Sequence, residues 1–297
     1  MNRIVLEELF ETRRRLRTVR TGATSRSLVA GVNALFRDAE SRRPPHQRIL
    51  TDNHARRFVE HHPLIWGLRL LRWFIPPLYR EIARLQVAHC TRHRTIDCLV
   101  EEAIQDGFHQ IVIVGAGYDS RAHRLDGGAR FVEIDHPQTA QRKAALLDSW
   151  GAASPVPCEL VGEGLWVGLS RAKLDLDAPI CFVLEGLVHY LPPATLDAMI
   201  VAMATGTGRR RAVLSFIAPE MVQKSTLLFG LMVKMLDEVP RQHFSIAGLT
   251  QRFYNGGYHL TGHWPISDQI AAFVPQAATR PRGVSQDVAR FDREARP

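Results

Sequence analysis

The segment Gln110-Ile-Val-Ile-Val-Gly-Ala-Gly-Tyr-Asp-Ser-Arg-Ala-His-Arg-Leu125 constrains the fold of this chain more than any other. The apolar residues Ile111 to Val114 read as a buried strand, and Gly115-Ala116-Gly117 reads as a tight turn after it. A second apolar run, Phe131-Val132-Glu133-Ile134-Asp135, ends on a carboxylate. A strand, a glycine turn and a later acidic strand end are the parts with which a doubly wound sheet holds an adenosine. The glycines let a ligand approach the backbone, and the carboxylate accepts hydrogen bonds from ribose hydroxyls. The third glycine of a dinucleotide fingerprint would fall at position 120, where the chain has Ser120. The polar, bulky run Tyr118-Asp119-Ser120-Arg121 suits a ligand without phosphates, and argues against a nicotinamide-dependent dehydrogenase.

Strands are expected near residues 110–114, 130–134, 156–161, 180–184 and 211–217, with helical stretches between them. That alternation implies a mostly parallel α/β sheet covered on both faces. Upstream, helices are expected over residues 3–20 and 25–42, and from Asp52, as N-cap, to about His61. Leu64 to Tyr79 is apolar and aromatic, interrupted by Arg69 and Arg72; it reads as a lid helix or an interfacial membrane helix. A helix from Arg80 to Gly107 leads into the first strand. After Pro219 the chain is rich in Leu and Met, from Leu227 to Leu236, which reads as packing or a pocket wall. Residues 243–275 are expected to hold a helix and the final antiparallel strands, with a turn at Gly256-Gly257. The arginine-rich tail from Gln276 is expected to be loosely ordered.

The net charge of +8 comes almost wholly from arginine, since lysine occurs only at Lys143, Lys173, Lys224 and Lys234. The clusters Arg13-Arg14-Arg15 and Arg209-Arg210-Arg211 lack interleaved aromatics, so solvated faces are favoured over a nucleic-acid surface. Attraction of an anionic small molecule is the milder use of the charge. Cys90, Cys98, Cys158 and Cys181 have no metal-ligand spacing, and no metal is expected; reduced thiols point to the cytoplasm. No run is long enough to span a bilayer.

Gly115-Ala-Gly-Tyr-Asp-Ser-Arg-Ala-His-Arg-Leu125 resembles the G-A-G-x-D-S/T-R-x-x-R-L motif of the leucine carboxyl methyltransferase-like family. Phe131-Val-Glu-Ile-Asp-His-Pro137, with Gln141 and Lys143 after it, resembles the family's F-x-E-x-D-x-P block. Pro179-Ile-Cys-Phe-Val-Leu-Glu-Gly-Leu-Val-His-Tyr-Leu-Pro192 resembles its E-G-x-x-x-Y-L block. Arg92-His-Arg-Thr-Ile-Asp97 resembles R-x-R-x-x-D, and Leu50-Thr-Asp-Asn-His-Ala55 is a weaker match, with Asn53 for the usual proline. The matches run in order over about residues 24–200. The resemblance implies a Rossmann-like class I methyltransferase sheet, mostly parallel with an antiparallel final strand. It also implies an N-terminal helical cap: residues 1–88 as cap and lid, residues 89–297 as core.

S-adenosylmethionine is the implied cofactor, and S-adenosylhomocysteine the product. Gly115 and Gly117 would let its methionine part pass the backbone, Asp135 would take the ribose hydroxyls, and Arg92 its α-carboxylate. Glu185, at the end of an apolar strand, would contact its amino group. Tyr190 would line the transfer site, and His189 would be the candidate general base. The family's acidic residue near the adenine falls at Gly162, so either Glu163 replaces it by a one-residue shift or adenine recognition is weaker. Arg69, Arg72 or Arg121 would hold an anionic acceptor.

The implied reaction is O-methylation of a carboxylate on a small molecule, of secondary or polyketide metabolism. Methylation of a phenol or alcohol, which needs a base, is the alternative within the same class. A cofactor-binding protein without transferase activity and a tRNA-modifying enzyme are the others. A homodimer is compatible with all of these.

Overall fold

The computed structural model describes residues 24–59, 76–125, 127–147, 153–223, 242–274 and 285–296. The elements before the sheet are helix α1 (Thr24–Ser41) and helix α2 (Pro76–Gln105). Seven strands follow: β1 (Gln110–Val114), β2 (Arg130–Asp135), β3 (Ala153–Pro157), β4 (Ile180–Leu184), β5 (Arg210–Phe216), β6 (His259–Trp264) and β7 (Asp287–Arg293). Between them lie α3 (Arg121–Arg124), α4 (Pro137–Leu146), α5 (Leu165–Ala172), α6 (Pro193–Met203), α7 (Pro219–Gln223), α8 (Ile246–Asn255) and α9 (Ile266–Phe273).

The strands form one sheet in the order β3-β2-β1-β4-β5-β7-β6. The first five are parallel, and β7 inserts antiparallel between β5 and β6. Every residue of β4 and β5 is buried, as strands covered on both faces require; this corrects the solvated face expected for Arg210 and Arg211, since Arg210 donates to the Leu176, Ala178 and Thr205 carbonyls and Arg211 pairs with Asp106 and Asp292. Strand order reverses between β1 and β4, and at such a switch point the carboxyl ends of neighbouring strands part to leave a crevice. Gly115 follows β1 there and Glu185 follows β4.

Helix α2 does two jobs along its length. Ile96, Leu99, Val100, Ala103 and Ile104 recur at helical spacing and pack with Ile111 and Ile113 of β1 and Val183 of β4. Over residues 89–97 of the same helix most buried residues are polar, among them His89, Arg92, His93 and Asp97. The apolar half thus anchors the helix on the sheet and carries the polar half over the crevice. α2 runs unbroken through residues 88 and 89.

Several expectations are corrected. The helix expected from Asp52 is a single turn, Ala55–Phe58; Asp52 Oδ1 accepts from the His54 and Ala55 amides at 3.0 Å, as a cap does, while its Oδ2 goes to Arg37 and Ser120. β3 lies earlier than expected, at Ala153–Pro157. It is an edge strand, paired only with β2, and so tolerates Pro155 and Pro157, while Cys158 onward turns into a loop. The turn at Gly256-Gly257 lies between α8 and β6, and of the strands expected within residues 243–275 only β6 falls there, its partner β7 lying in the tail.

The tail is not loose from Gln276 throughout. β7 buries Val288, Ala289 and Phe291 completely, and its charges are matched: Asp292 by Arg211 at 2.7 Å, Arg290 by Glu102 at 2.6 Å. Four charged residues in the seven of β7 hide an alternation that only the finished sheet satisfies. The expected helix at 3–20, residues 64–75 of the lid expected over Leu64–Tyr79, with Arg69 and Arg72, and the Leu/Met segment Leu227–Leu236 lie outside the described residues, while residues 76–79 begin α2. No helix among the described residues is long and apolar enough to cross a membrane.

Candidate active site

A cavity of about 260 Å³ opens at the switch point. Gly115, Ala116 and Gly117 form its floor after β1, Asp135 and His136 close one end after β2, and Glu185 to Leu187 follow β4. Ala30, Asn33 and Arg37 of α1 and His89, Arg92 and His93 of α2 cover it. Gly115 and Gly117 have φ of +69° and +50°, the left-handed region that glycine enters without cost. A Cβ on Gly115 would lie 2.9 Å from Leu187 Cδ1.

Asp135 stands at the end of β2 with both oxygens engaged: Gly117 N–H donates to one and His136 N–H, at 2.6 Å, to the other. Burial raises its carboxyl above the usual range despite these two donors. Glu133 is buried in β2 on Lys143, 2.5 Å from Nζ, and takes no part in the cavity wall. Burial outweighs the ammonium there and pushes Glu133 up to about 7.

Glu185 is the hub of a charge network. Its Oε1 accepts from Arg92 Nε at 2.9 Å, and its Oε2 from Arg121 Nη2 at 2.7 Å and His93 Nδ1 at 2.9 Å. Burial acts to raise its carboxyl, but His93, Arg121 and Arg92 overcome it and hold the group well below the usual range. Arg121, completely buried, also binds Asp119, Asp97 Oδ1 at 2.7 Å and the His93 carbonyl. Arg124 bridges Asp97 Oδ2 at 2.8 Å to Ser120 and His93 Nε2. Ser120 donates to Asp52 at 2.6 Å, and Asp52 holds Arg37, whose Nη2 reaches the Tyr118 carbonyl at 2.5 Å. One continuous chain of ion pairs therefore ties α1 and the Asp52 turn to the loop after β1, to α2 and to β4. Buried charges survive only when paired and hydrogen-bonded in this way.

The tautomers follow from the donors. Arginine only donates, so His93 Nε2 accepts from Arg124; Nδ1 lies 2.9 Å from both Glu185 Oε2 and Arg121 Nη2, and a ring proton there is donated to Glu185. Burial and then Arg121 lower the basicity of His93, while Glu185 and Asp97 act to raise it. His89, His93 and Glu185 have ligand-type atoms within 4.8 Å of one another, a spacing a metal ion accepts. Arg92 and Arg121, bonded to the same carboxylate, would face such a cation directly, and the surroundings favour an anion.

Of the residues singled out from sequence, the cavity brings together Arg92, Gly115, Gly117, Asp135, Glu185 and Tyr190. It does not include His189 or Glu163. His189 is buried behind the turn Val188–Tyr190, and burial, then Arg92 and His243, lower it to about 3, too weak a base for use near neutral pH. Glu163 is turned outward and pairs with Arg171 at 2.7 Å, while Glu159, Leu160 and Val161 line that end instead. Arg121 cannot hold an acceptor, because three carboxylates consume its guanidinium and none of it reaches the surface. The sequence reading did not single out His89, His93, Arg37 or Glu159. His89 and His93 carried a signal: they sit at helical spacing with Arg92 and Asp97.

The leucine carboxyl methyltransferase family model matches residues 30–204. A protein of Mycolicibacterium gilvum, named for S-adenosyl-L-methionine-dependent methyltransferase activity, is 32% identical over 250 residues, spanning 79% of this chain and 78% of its own. A Rhodococcus jostii protein named for the same activity is 30% identical over 287 residues, spanning 89% and 92%. Among solved structures, one from Thermobifida fusca named for methyltransferase activity superposes with a TM-score of 0.53 at 16% identity, over 79% of this chain and 90% of its own. A DUF574-family protein of Streptomyces avermitilis gives 0.55 at 13% identity, over 88% and 96%; likeness at these identities concerns the fold alone. The length and identity of the sequence matches, together with the seven-stranded sheet, establish that the chain belongs to the leucine carboxyl methyltransferase family and is an S-adenosylmethionine-dependent methyltransferase.

Proposed function

We propose that the methyl group goes to oxygen, on a carboxylate of a small molecule, in the cavity at the β1–β4 switch point. The observation that carries this reading is the character of the histidines around Glu185. His89, His93 and His189 are all held below their ordinary basicity, first by burial. None is suited to take a proton from a phenol or alcohol near neutral pH. A carboxylate arrives already ionised and needs none.

When bound, S-adenosylmethionine supplies a methyl on a sulfonium, a leaving group that an ionised carboxylate displaces in line. The protein's task is alignment and exclusion of water. Asp135, fixed by two backbone donors, accepts from the ribose hydroxyls. Gly115 and Gly117 let the methionine part lie against the backbone, and Arg92 faces its carboxylate. Glu185, already holding three cationic or donor groups, acts as a positioning residue that aims Arg92. Tyr190 lines the acceptor side with Leu187 and Leu191. The cap residues Ala30, Asn33 and Arg37 cover the reacting atoms. The four free cysteines suit a reducing cytoplasm.

Calorimetric titration with S-adenosylhomocysteine, with NAD in parallel, tests the cofactor assignment. Micromolar binding of the first, lost in Asp135→Ala and Arg92→Ala, is expected. A panel of small carboxylic acids and phenols, read by mass spectrometry for the methyl adduct, tests the acceptor. Methylation of phenols alone refutes the carboxylate reading.

A further inference from the structure

We infer that His89 and Arg92 form a two-donor site for a carboxylate, in which His89 is a neutral donor through Nε2. The inference rests on the cofactor reading above and adds a residue to it.

His89 and Arg92 lie one turn apart on α2, and both line the cavity. Arg92 Nη2 lies 2.7 Å from His89 Nδ1. A guanidinium has no acceptor, so Nδ1 must accept, and the single ring proton sits on Nε2. Nε2 is buried and has no hydrogen-bond partner among the described residues. A buried donor left unmade is costly, and one in a cavity wall is explained by a ligand atom that accepts from it. Arg92 is in a similar position: Nε is on Glu185 and Nη2 on His89, while Nη1 makes no hydrogen bond among the described residues. One charged and one neutral donor thus remain on adjacent side chains. Burial, then Arg92, depress the basicity of His89, which disfavours a second ring proton.

An acceptor with negative charge and two oxygens fits this pair. Two molecules at this site carry such a group, the amino-acid part of the cofactor and the proposed methyl acceptor. The test uses wild type, His89→Ala and His89→Gln, the last of which returns an N–H near the position of Nε2. Each is titrated with S-adenosylhomocysteine and with 5′-deoxy-5′-methylthioadenosine, which lacks the carboxylate. Octanoate is then titrated into protein saturated with S-adenosylhomocysteine.

Loss of about tenfold or more in affinity for S-adenosylhomocysteine in His89→Ala is expected, with methylthioadenosine unchanged and His89→Gln partly restored. That result assigns the cofactor's carboxylate. Unchanged nucleoside binding with loss of octanoate binding assigns the acceptor's carboxylate instead. Equal loss for both nucleosides, or no change with any probe, overturns the inference. Nitrogen NMR of the His89 ring gives an independent check, since a proton on Nδ1 overturns it whatever binds. A wild type that binds neither nucleoside refutes the cofactor reading, and the ring measurement still decides the tautomer.

Discussion

Replacing Arg121 with methionine keeps an unbranched side chain of similar length and deletes the guanidinium at the centre of the network. The consequences differ among its three carboxylates. Asp97 keeps Arg124 at 2.8 Å, and Glu185 keeps Arg92 and His93, each at 2.9 Å. Asp119 keeps the Arg121 backbone N–H at 2.7 Å and loses its cation. One buried carboxylate is therefore stranded and two are weakened. Removing one partner of a buried pair costs about 3–5 kcal/mol, and the stranding of Asp119 puts Arg121→Met in that range. Against a total stability of about 5–15 kcal/mol, such a loss is large. Urea unfolding followed by circular dichroism measures it. The double variant Arg121→Met with Asp119→Asn should recover part of the loss, because the stranded charge is gone. A cost below about 1 kcal/mol, or unchanged stability with lost acceptor turnover, would return Arg121 to the acceptor and refute the structural role.

Four further outcomes are expected. Asp97 is held at about 2: burial raises it, but His93, Arg121 and Arg124 outweigh burial and draw it below its ordinary 3.8. Its contribution is present above pH 4 and is lost as pH falls toward 2, so the stability difference between wild type and Asp97→Asn should shrink by about 2 kcal/mol from pH 5 to pH 2; a difference flat with pH contradicts this. Gly115→Ala forces a side chain into a φ of +69° and against Leu187, so stability should drop by about 1–2 kcal/mol and S-adenosylhomocysteine should bind more weakly by calorimetry. Glu163→Gln should leave the same binding constant within about twofold, since that side chain faces solvent; a larger loss would restore it to the site. Phe291→Ala should cost about 3–5 kcal/mol in denaturant unfolding, because the ring is fully buried and stacks on Phe253 at 4.1 Å; a mild effect would speak against β7 as a central strand.

The parts of this protein that were legible in its sequence are those where one local pattern decides the outcome. Ile111 to Val114 and Ile180 to Leu184 are unbroken apolar runs, and such runs become central parallel strands. Gly115 and Gly117 need left-handed backbone, and Asp135 sits where a strand must end. The illegible parts depend on partners far away in the chain. Asp52 has the pattern of a helix cap, and becomes a node between Arg37 and Ser120 because α1 and the loop after β1 converge on it. Arg121 looks like a free cation in a polar run, and only the approach of α2 and β4 surrounds it with carboxylates. His89 carries no signal apart from its turn of separation from Arg92. β7 looks like a charged tail until Arg211, Trp264 and Glu102 are in place beside it.

The insertion of β7 between β5 and β6 sets an order of events in folding. Among the described residues β6 pairs with β7 alone, so it joins the rest of the sheet only when β7 docks on β5. That docking brings Asp287 opposite Phe216, closing a loop that contains both α8 and α9. Closing so long a loop is entropically slow, as is the equally long pairing of Gln110 in β1 with Ile180 in β4, whereas β1 meets β2, and β4 meets β5, over shorter separations. If α2, packed on Ile111, Ile113 and Val183, draws β1 and β4 together first, the half of the sheet that carries the crevice forms early and leaves β5 as a temporary bare edge. A kinetic intermediate with a protected β1–β4 core and exchanging amides in β6 and β7 is the signature of that order, and the exposed edge of β5 would be where refolding chains stick to one another at high concentration.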